Sequence, residues 1–206
     1  MSDPELLTRT LRVLRHCRSI AAFESVILFT VIDPADSIKI EGLKIIQIPD
    51  CTERSQWQIL NGRTIPAILE KYYRTLCVHE DGFPLKASMW SNDFLDYDYV
   101  GAPWFNNSLV GSGGCCLTSG MLMGLMTMLP WYNGQTNVDE WVCLTHRERL
   151  MQNGIRFAPT DLAAKFCTET THQEFPSFAY HGRSHAMEKH RLAWEQLEQL
   201  EKDSGW

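Results

Sequence analysis

The stretch that most constrains this chain is residues 75–78 followed at once by His79, Glu80, Asp81 and Gly82. An apolar run that stops at two adjacent carboxylates and a glycine reads as a strand delivering charge to a sheet edge. A divalent cation or a sugar diphosphate can be met there. On either side the sequence alternates between helical and strand patterns. Leu7, Leu11, Leu14 and Cys17 recur at helical spacing with Arg9, Arg12, Arg15 and Arg18 mostly outside them, and residues 2–5 form a capping box with Pro4 in the first turn. Residues 25–30 and 43–48 read as buried strands, the second ended by Pro49. Residues 54–73 are helical but interrupted by Gly62 and Pro66. This alternation predicts an α/β fold with a mixed, mainly parallel sheet flanked by helices, in which 75–78 is the central strand.

Farther on, 89–95 reads as a short helix or turn and 97–100 as strand-like. Residues 115–118 read as a strand, 119–128 as an apolar helix, and 138–152 as a helix stopped at Asn153-Gly154. A short strand at 155–158, a helical turn at 161–166 and an extended stretch at 174–180 follow. The division expected is one domain over 1–184, with a polar helix at 185–206 packed on it or extending from it. Three glycines at 111, 113 and 114 let backbone approach a ligand closely, or else make a tight turn. Between the acids and these glycines lie Asp96, Tyr97, Asp98, Tyr99 and Trp104, a mixture of acids and aromatics suited to carbohydrate. The glycines match neither a dinucleotide-binding fingerprint nor a P-loop.

With a net charge of −6, the chain has no general attraction for phosphate backbones or anionic membranes. Its seven cysteines are dispersed and include the adjacent pair Cys115 and Cys116, without a C-x-x-C. They read as reduced thiols rather than a disulfide framework or zinc site. No run is long and apolar enough to span a bilayer, and no signal peptide is legible, so a cytoplasmic protein is expected.

Several segments carry a resemblance. H-E-D-G-F at 79–83, D-F-L-D-Y-D-Y-V-G-A-P-W at 93–104, V-G-S-G-G-C-C-L at 110–117, G-I-R-F-A-P at 154–159 and F-A-Y-H-G at 178–182 occur in that order. They are similar to the successive motifs of a little-characterised glycosyltransferase-like family, which usually writes Q-W-D-G-F, E-F-L-D-Y-D-Y-I-G-A-P-W, V-G-N-G-G-F-S-L and F-G-F-H-G. The resemblance implies a GT-A-like fold and transfer of a sugar from a nucleotide-diphospho-sugar to a hydroxyl acceptor: a glycan, a small molecule or a hydroxylated nucleobase. It also implies a strand before the first helix. This sequence opens on the helix, so that first strand is expected to be missing.

Site residues follow from both sources. The resemblance makes Asp81 and His181 ligands of a divalent cation, Mn2+ or Mg2+, which would neutralise the departing diphosphate. Without it, Asp81 reads equally as a turn acid and His181 as a core histidine. Glu80, Asp81, Gly111, Gly113 and Gly114 are the donor-binding candidates. Asp139 matches the family's acid at a helix start and would be the general base, with Glu140 one position on as the alternative; acids there also serve as ordinary dipole partners. Trp104 and Trp141 are candidates to stack on the acceptor, although large aromatics are more often core. Two rivals stay open: a non-catalytic sugar- or nucleotide-binding relative that lost activity with the first strand, and a phosphoryl- or nucleotidyl-transferring enzyme using the same acids.

Overall fold

The computed structural model describes residues 4–32, 40–104, 109–130, 132–169 and 177–182, together with Glu195 and Gln199. The cap at residues 2–5 lies partly outside them. Most of the polar helix expected from 185 lies outside as well.

Helix α1 (Pro4–Ile20) forms on the apolar spacing read above. Leu7, Leu11 and Leu14 are buried against Val26 and Leu28, while Val13 and Cys17 pack on Phe83, Leu85 and Tyr180. Strands β1 (Val26–Thr30) and β2 (Leu43–Gln47) pair in parallel. Because strand side chains alternate, Val26 and Leu28 join the cluster under α1 while Ile27 and Phe29 pack on the main core. β1 is thus covered on both faces.

Helix α2 (Arg54–Ile59) continues through a π-helical turn, Leu60–Thr64, into α3 (Ile65–Leu69). The interruption expected at Gly62 and Pro66 takes this form. A Cβ on Gly62 would lie 2.6 Å from the Tyr132 ring, so the glycine admits that ring. Next come β3 (Arg74–Val78), β4 (Gly82–Pro84), two short 3-10 turns, β5 (Tyr99–Val100), β6 (Cys115–Ser119) and α4 (Gly120–Met128). α5 (Val138–Glu140) runs into a second π-helical turn, Trp141–Thr145, ahead of α6 (Arg147–Gln152), α7 (Thr160–Phe166), β7 (Cys167–Thr168) and β8 (Ala179–His181).

The fold is mixed α/β, but among the described residues the strands form three small sheets rather than one: β1-β2, β3-β6-β5 and β4-β8-β7. The expectation of mainly parallel pairing is corrected. Antiparallel ladders join β3, β6 and β5 and pair β4 with β8, and among the described strands only β1-β2 and β7-β8 are parallel. Parallel pairing needs a long crossover, usually a helix. The chain between β3 and β6 instead turns back through β4 and 3-10 turns. Nor is β3 central; β6 sits between β3 and β5, and all its residues are buried.

Much of the D-Y-D-Y-V-G-A-P-W stretch holds the core together. The Asp98 carboxylate accepts the Arg156 N–H at 2.9 Å, the Asp98 N–H donates to Arg156 O at 2.7 Å, and the Tyr99 hydroxyl donates to Gly111 O at 3.1 Å. The strand expected at 155–158 is a single parallel bridge, Tyr99 with Phe157. No helix among the described residues is long and apolar enough to cross a membrane.

Candidate functional site

β3 ends in a tight reversal. His79 and Gly82 exchange backbone hydrogen bonds of 3.0 and 3.2 Å, so Glu80 and Asp81 occupy the two corners of the turn. β8 lies against β4 with His181 opposite Gly82, and the Gly182 N–H donates to Asp81 O at 3.1 Å. Two chain segments a hundred residues apart are thereby locked in register, and His181 comes down beside Asp81.

The glycines make this possible. A Cβ on Gly114 would stand 1.8 Å from His181 Nε2, and one on Gly82 would meet Gly114 O at 2.6 Å and His181 Cδ2 at 2.7 Å. The imidazole therefore rests on bare backbone. Between Gly111 and Gly113, Ser112 adopts a left-handed φ of 62°, a conformation a non-glycine residue holds only when its surroundings impose it. Its hydroxyl lies 3.2 Å from His181 Nδ1.

Ligand atoms of His79, Asp81 and His181 all lie within 4.8 Å of one another. Asp81 and His181 were expected as ligands from the sequence; His79 was not. His181 Nδ1 lies 2.6 Å from Glu169 Oε1. A hydrogen bond from Nδ1–H to that carboxylate leaves the lone pair on Nε2, the nitrogen facing Asp81. Nε2 and Asp81 Oδ1 are 3.8 Å apart, too far for a hydrogen bond. The donor set fits a divalent metal: two imidazoles, one carboxylate, and a second carboxylate fixing the tautomer of one ring.

Electrostatics separate the two histidines. Burial alone would lower the pKa of His181, but Glu169, Asp81 and Asp139 outweigh it and the net shift is upward. His79 is pushed down, by burial first and then by the charge of His181, against the pull of Asp81 and Glu80. A neutral His79 is a competent ligand.

These groups open on a cleft of about 1120 Å³ whose wall includes His79, Glu80, Asp81, Gly113, Asp139 and His181. Asp139 stands at the start of α5, accepts the Gly113 N–H through Oδ2 at 3.3 Å and caps the Glu140 N–H through Oδ1 at 3.0 Å. Burial raises its pKa and Glu169 adds to the rise, against the two N–H donors. Glu140 is exposed and off the cleft wall.

The remaining candidates lie elsewhere. Gly111 is packed against the Trp104 ring, 1.9 Å from where its Cβ would be, so that pair is an internal contact rather than cleft lining. The expectation that Trp141 faces an acceptor is corrected: it is 5% exposed, stacked on Tyr132 at 4.5 Å, with the Arg63 guanidinium 5.2 Å from its centroid. Glu169 was missed because nothing in its local sequence marks it. The signal for His79 was available, since side chains two apart near a strand end share a face.

The fold and site define a mixed α/β protein with a His/Asp cluster capable of holding a metal at the wall of a large cleft. The chain belongs to the family described as "Protein of unknown function (DUF5672)", whose match spans residues 63–187 and so includes every residue of the cluster. No curated protein matches the chain.

Proposed function

We propose that this chain is a glycosyltransferase of GT-A-like fold, moving a sugar from a nucleotide-diphospho-sugar to a hydroxyl acceptor with the help of a divalent cation. The observation that carries the reading is the convergence of His79, Asp81 and His181 on the cleft that also holds Asp139. The sequence motifs at 93–104 and 110–117 support it by resemblance.

A bound Mn2+ or Mg2+ would neutralise charge on the leaving diphosphate. The chain's own residues supply the rest. His79, Asp81 and His181 would hold the ion, and Glu169, bonded to Nδ1 of His181, sets the ring so that Nε2 is the nitrogen turned toward it. The open backbone at Gly113 gives the donor room, its absent Cβ meeting nothing nearer than Asp139 Cβ at 3.8 Å. Asp139, its pKa raised, takes the proton from the acceptor hydroxyl, because a base nearer the working pH is the more effective one. Seven free thiols support a reducing compartment, so the cytoplasm is part of the proposal.

A thermal-shift screen of nucleotide sugars with and without manganese tests this, since a ligand that binds the folded state raises its stability by mass action. Manganese-dependent stabilisation by one donor, followed by release of its nucleoside diphosphate, is the expected outcome. A flat screen would leave the transferase reading without its substrate and refute it. A second reading rests on His79. Two histidines and one carboxylate are also the ligand set of non-haem iron oxygenases. Ferrous iron retained on purification, with oxygen consumption, would favour that chemistry.

A further inference from the structure

We propose that Cys77 and Cys116 are a reversible dithiol switch: hydrogen peroxide joins them in a disulfide across β3 and β6, and closure loosens the metal cluster. The proposal rests on the metal site of the reading above but not on sugar transfer.

All seven cysteines are free thiols, and two pairs are in hydrogen-bonding contact: Cys77 with Cys116, and Cys115 with Cys167. The pairs differ in access. Cys77 is half-buried, and both it and Cys116 stand on the cleft wall with His79 and Asp81. Cys115 and Cys167 are wholly buried and off that wall. Cys77 lies two residues before His79, so strand alternation turns both side chains to one face of β3. A small oxidant that reaches the cluster therefore reaches the first pair.

Register decides whether the thiols can bond. Cys77 is directly opposite Cys116 in the antiparallel β3–β6 ladder. Residues so placed have Cα atoms about 4.5 or 5.5 Å apart, within the roughly 4.4–6.8 Å that a disulfide spans. Their Cβ atoms stand about 4.5–5.5 Å apart, whereas a disulfide draws them to about 3.8 Å. Closure thus pulls the strands together by about 1 Å. A bond formed under that strain is readily reduced, as a transient disulfide in a reducing compartment must be. The displacement falls on the site: β3 runs from Cys77 into His79 and Asp81, and β6 begins directly after Gly114, the backbone under the His181 ring.

The chemistry takes two steps. Cys77, the more exposed thiol, attacks one oxygen of hydrogen peroxide and the O–O bond breaks. The sulfur keeps that oxygen as a sulfenic acid, and the departing hydroxide leaves as water with the thiol proton. The Cys116 sulfur then attacks the Cys77 sulfur, the S–O bond breaks, and the hydroxyl leaves as a second water with the Cys116 proton. Two thiols have given two electrons and two protons to one peroxide. A dithiol reverses the bond by exchange and is itself oxidised to a disulfide.

The test treats the full chain with hydrogen peroxide, removes the peroxide, and maps disulfides by proteolysis and tandem mass spectrometry. We expect a Cys77–Cys116 link that dithiothreitol reverses, formed in Cys115→Ser and absent from Cys116→Ser. Calorimetry with Mn2+ should show the oxidised chain binding at least about tenfold more weakly than the reduced chain, with recovery after dithiothreitol. Cys116→Ser should keep its Mn2+ affinity within about twofold through the same treatment. A chain in which Cys77 and Cys116 stay unlinked, or in which Cys115 and Cys167 link as fast, overturns the proposal. An unchanged Mn2+ affinity once the disulfide has formed, or an equal loss in Cys116→Ser, overturns the coupling to the cluster alone. A reduced parent that binds no Mn2+ overturns the metal reading and the coupling with it.

Discussion

Replacing Gly114 by alanine tests the site at its most constrained point. The new Cβ would fall 1.8 Å from His181 Nε2, 2.0 Å from Cδ2 and 2.4 Å from Cε1. Ordinary contact begins near 3.4 Å, so the ring must retreat by about 1.6 Å or the backbone must open. No left-handed φ is needed at Gly114, so the alanine adds a steric conflict and little backbone strain. Either retreat pulls Nε2 from Asp81 and loosens the 2.6 Å contact of Nδ1 with Glu169. Displacing a reactive group by 1 Å can cost about 10²-fold, and disturbing the partners of a metal ligand typically costs 10- to 100-fold in affinity. Gly114→Ala should therefore weaken Mn2+ binding by about 10- to 100-fold, with an overpacking cost of about 1–3 kcal/mol in a melt. Gly113→Ala is the matched control, because its Cβ meets only Asp139 Cβ at 3.8 Å. It should bind the metal within about twofold of the parent, a free-energy difference of about 0.4 kcal/mol. Titration calorimetry or manganese EPR on both variants decides the matter. Parental affinity in Gly114→Ala, or equal losses in the two, would falsify the placement of His181 in the metal shell.

Other perturbations probe other parts. Glu169→Gln keeps the shape beside His181 Nδ1 but removes the charge fixing its tautomer, and should lower metal affinity by about 10- to 100-fold; unchanged affinity would show that Glu169 has no such role. Asp139→Asn should depress transfer by about 10²–10⁴-fold while donor affinity holds, with Glu140→Gln nearly silent; the reverse pattern would move the base by one residue. His16 is buried, lies 2.9 Å from Pro84 O, and has its pKa lowered chiefly by burial. Below about pH 6.5 the unfolded chain binds the proton more readily, so His16 contributes stability fully above that pH and loses it as pH falls toward its folded pKa. His16→Gln should accordingly flatten the fall in melting temperature between about pH 7 and about pH 5; an equally steep fall in the variant would refute the assignment.

What the sequence disclosed, and what it hid, follows from the range of the interactions. α1 was legible because Leu7, Leu11 and Leu14 repeat at helical spacing, and all three are buried. The reversal after β3 announced itself through Glu80, Asp81 and Gly82. Strand direction was not legible, because it depends on which segments meet across the β3–β6 ladder rather than on any local pattern. Glu169 reaches His181 across the end of the parallel β7–β8 pairing, a contact that no spacing rule anticipates. Trp141 misled for a plain reason: an aromatic beside candidate acids looks like a ligand platform, yet its large apolar area is better satisfied against Tyr132. The D-Y-D-Y-V-G-A-P-W stretch, the most distinctive in the chain, serves packing at Asp98 and Tyr99 as much as any ligand.

The central claim is that Asp81 joins His79 and His181 in a metal site on which donor binding depends. Calorimetric titration of the screened nucleotide sugar into the parent chain and Asp81→Asn, each with and without manganese, tests it most directly. The account predicts tight binding only for the parent with manganese, and one weak, metal-independent affinity in the variant. Binding by Asp81→Asn that keeps the parent's strength and its manganese dependence would contradict it.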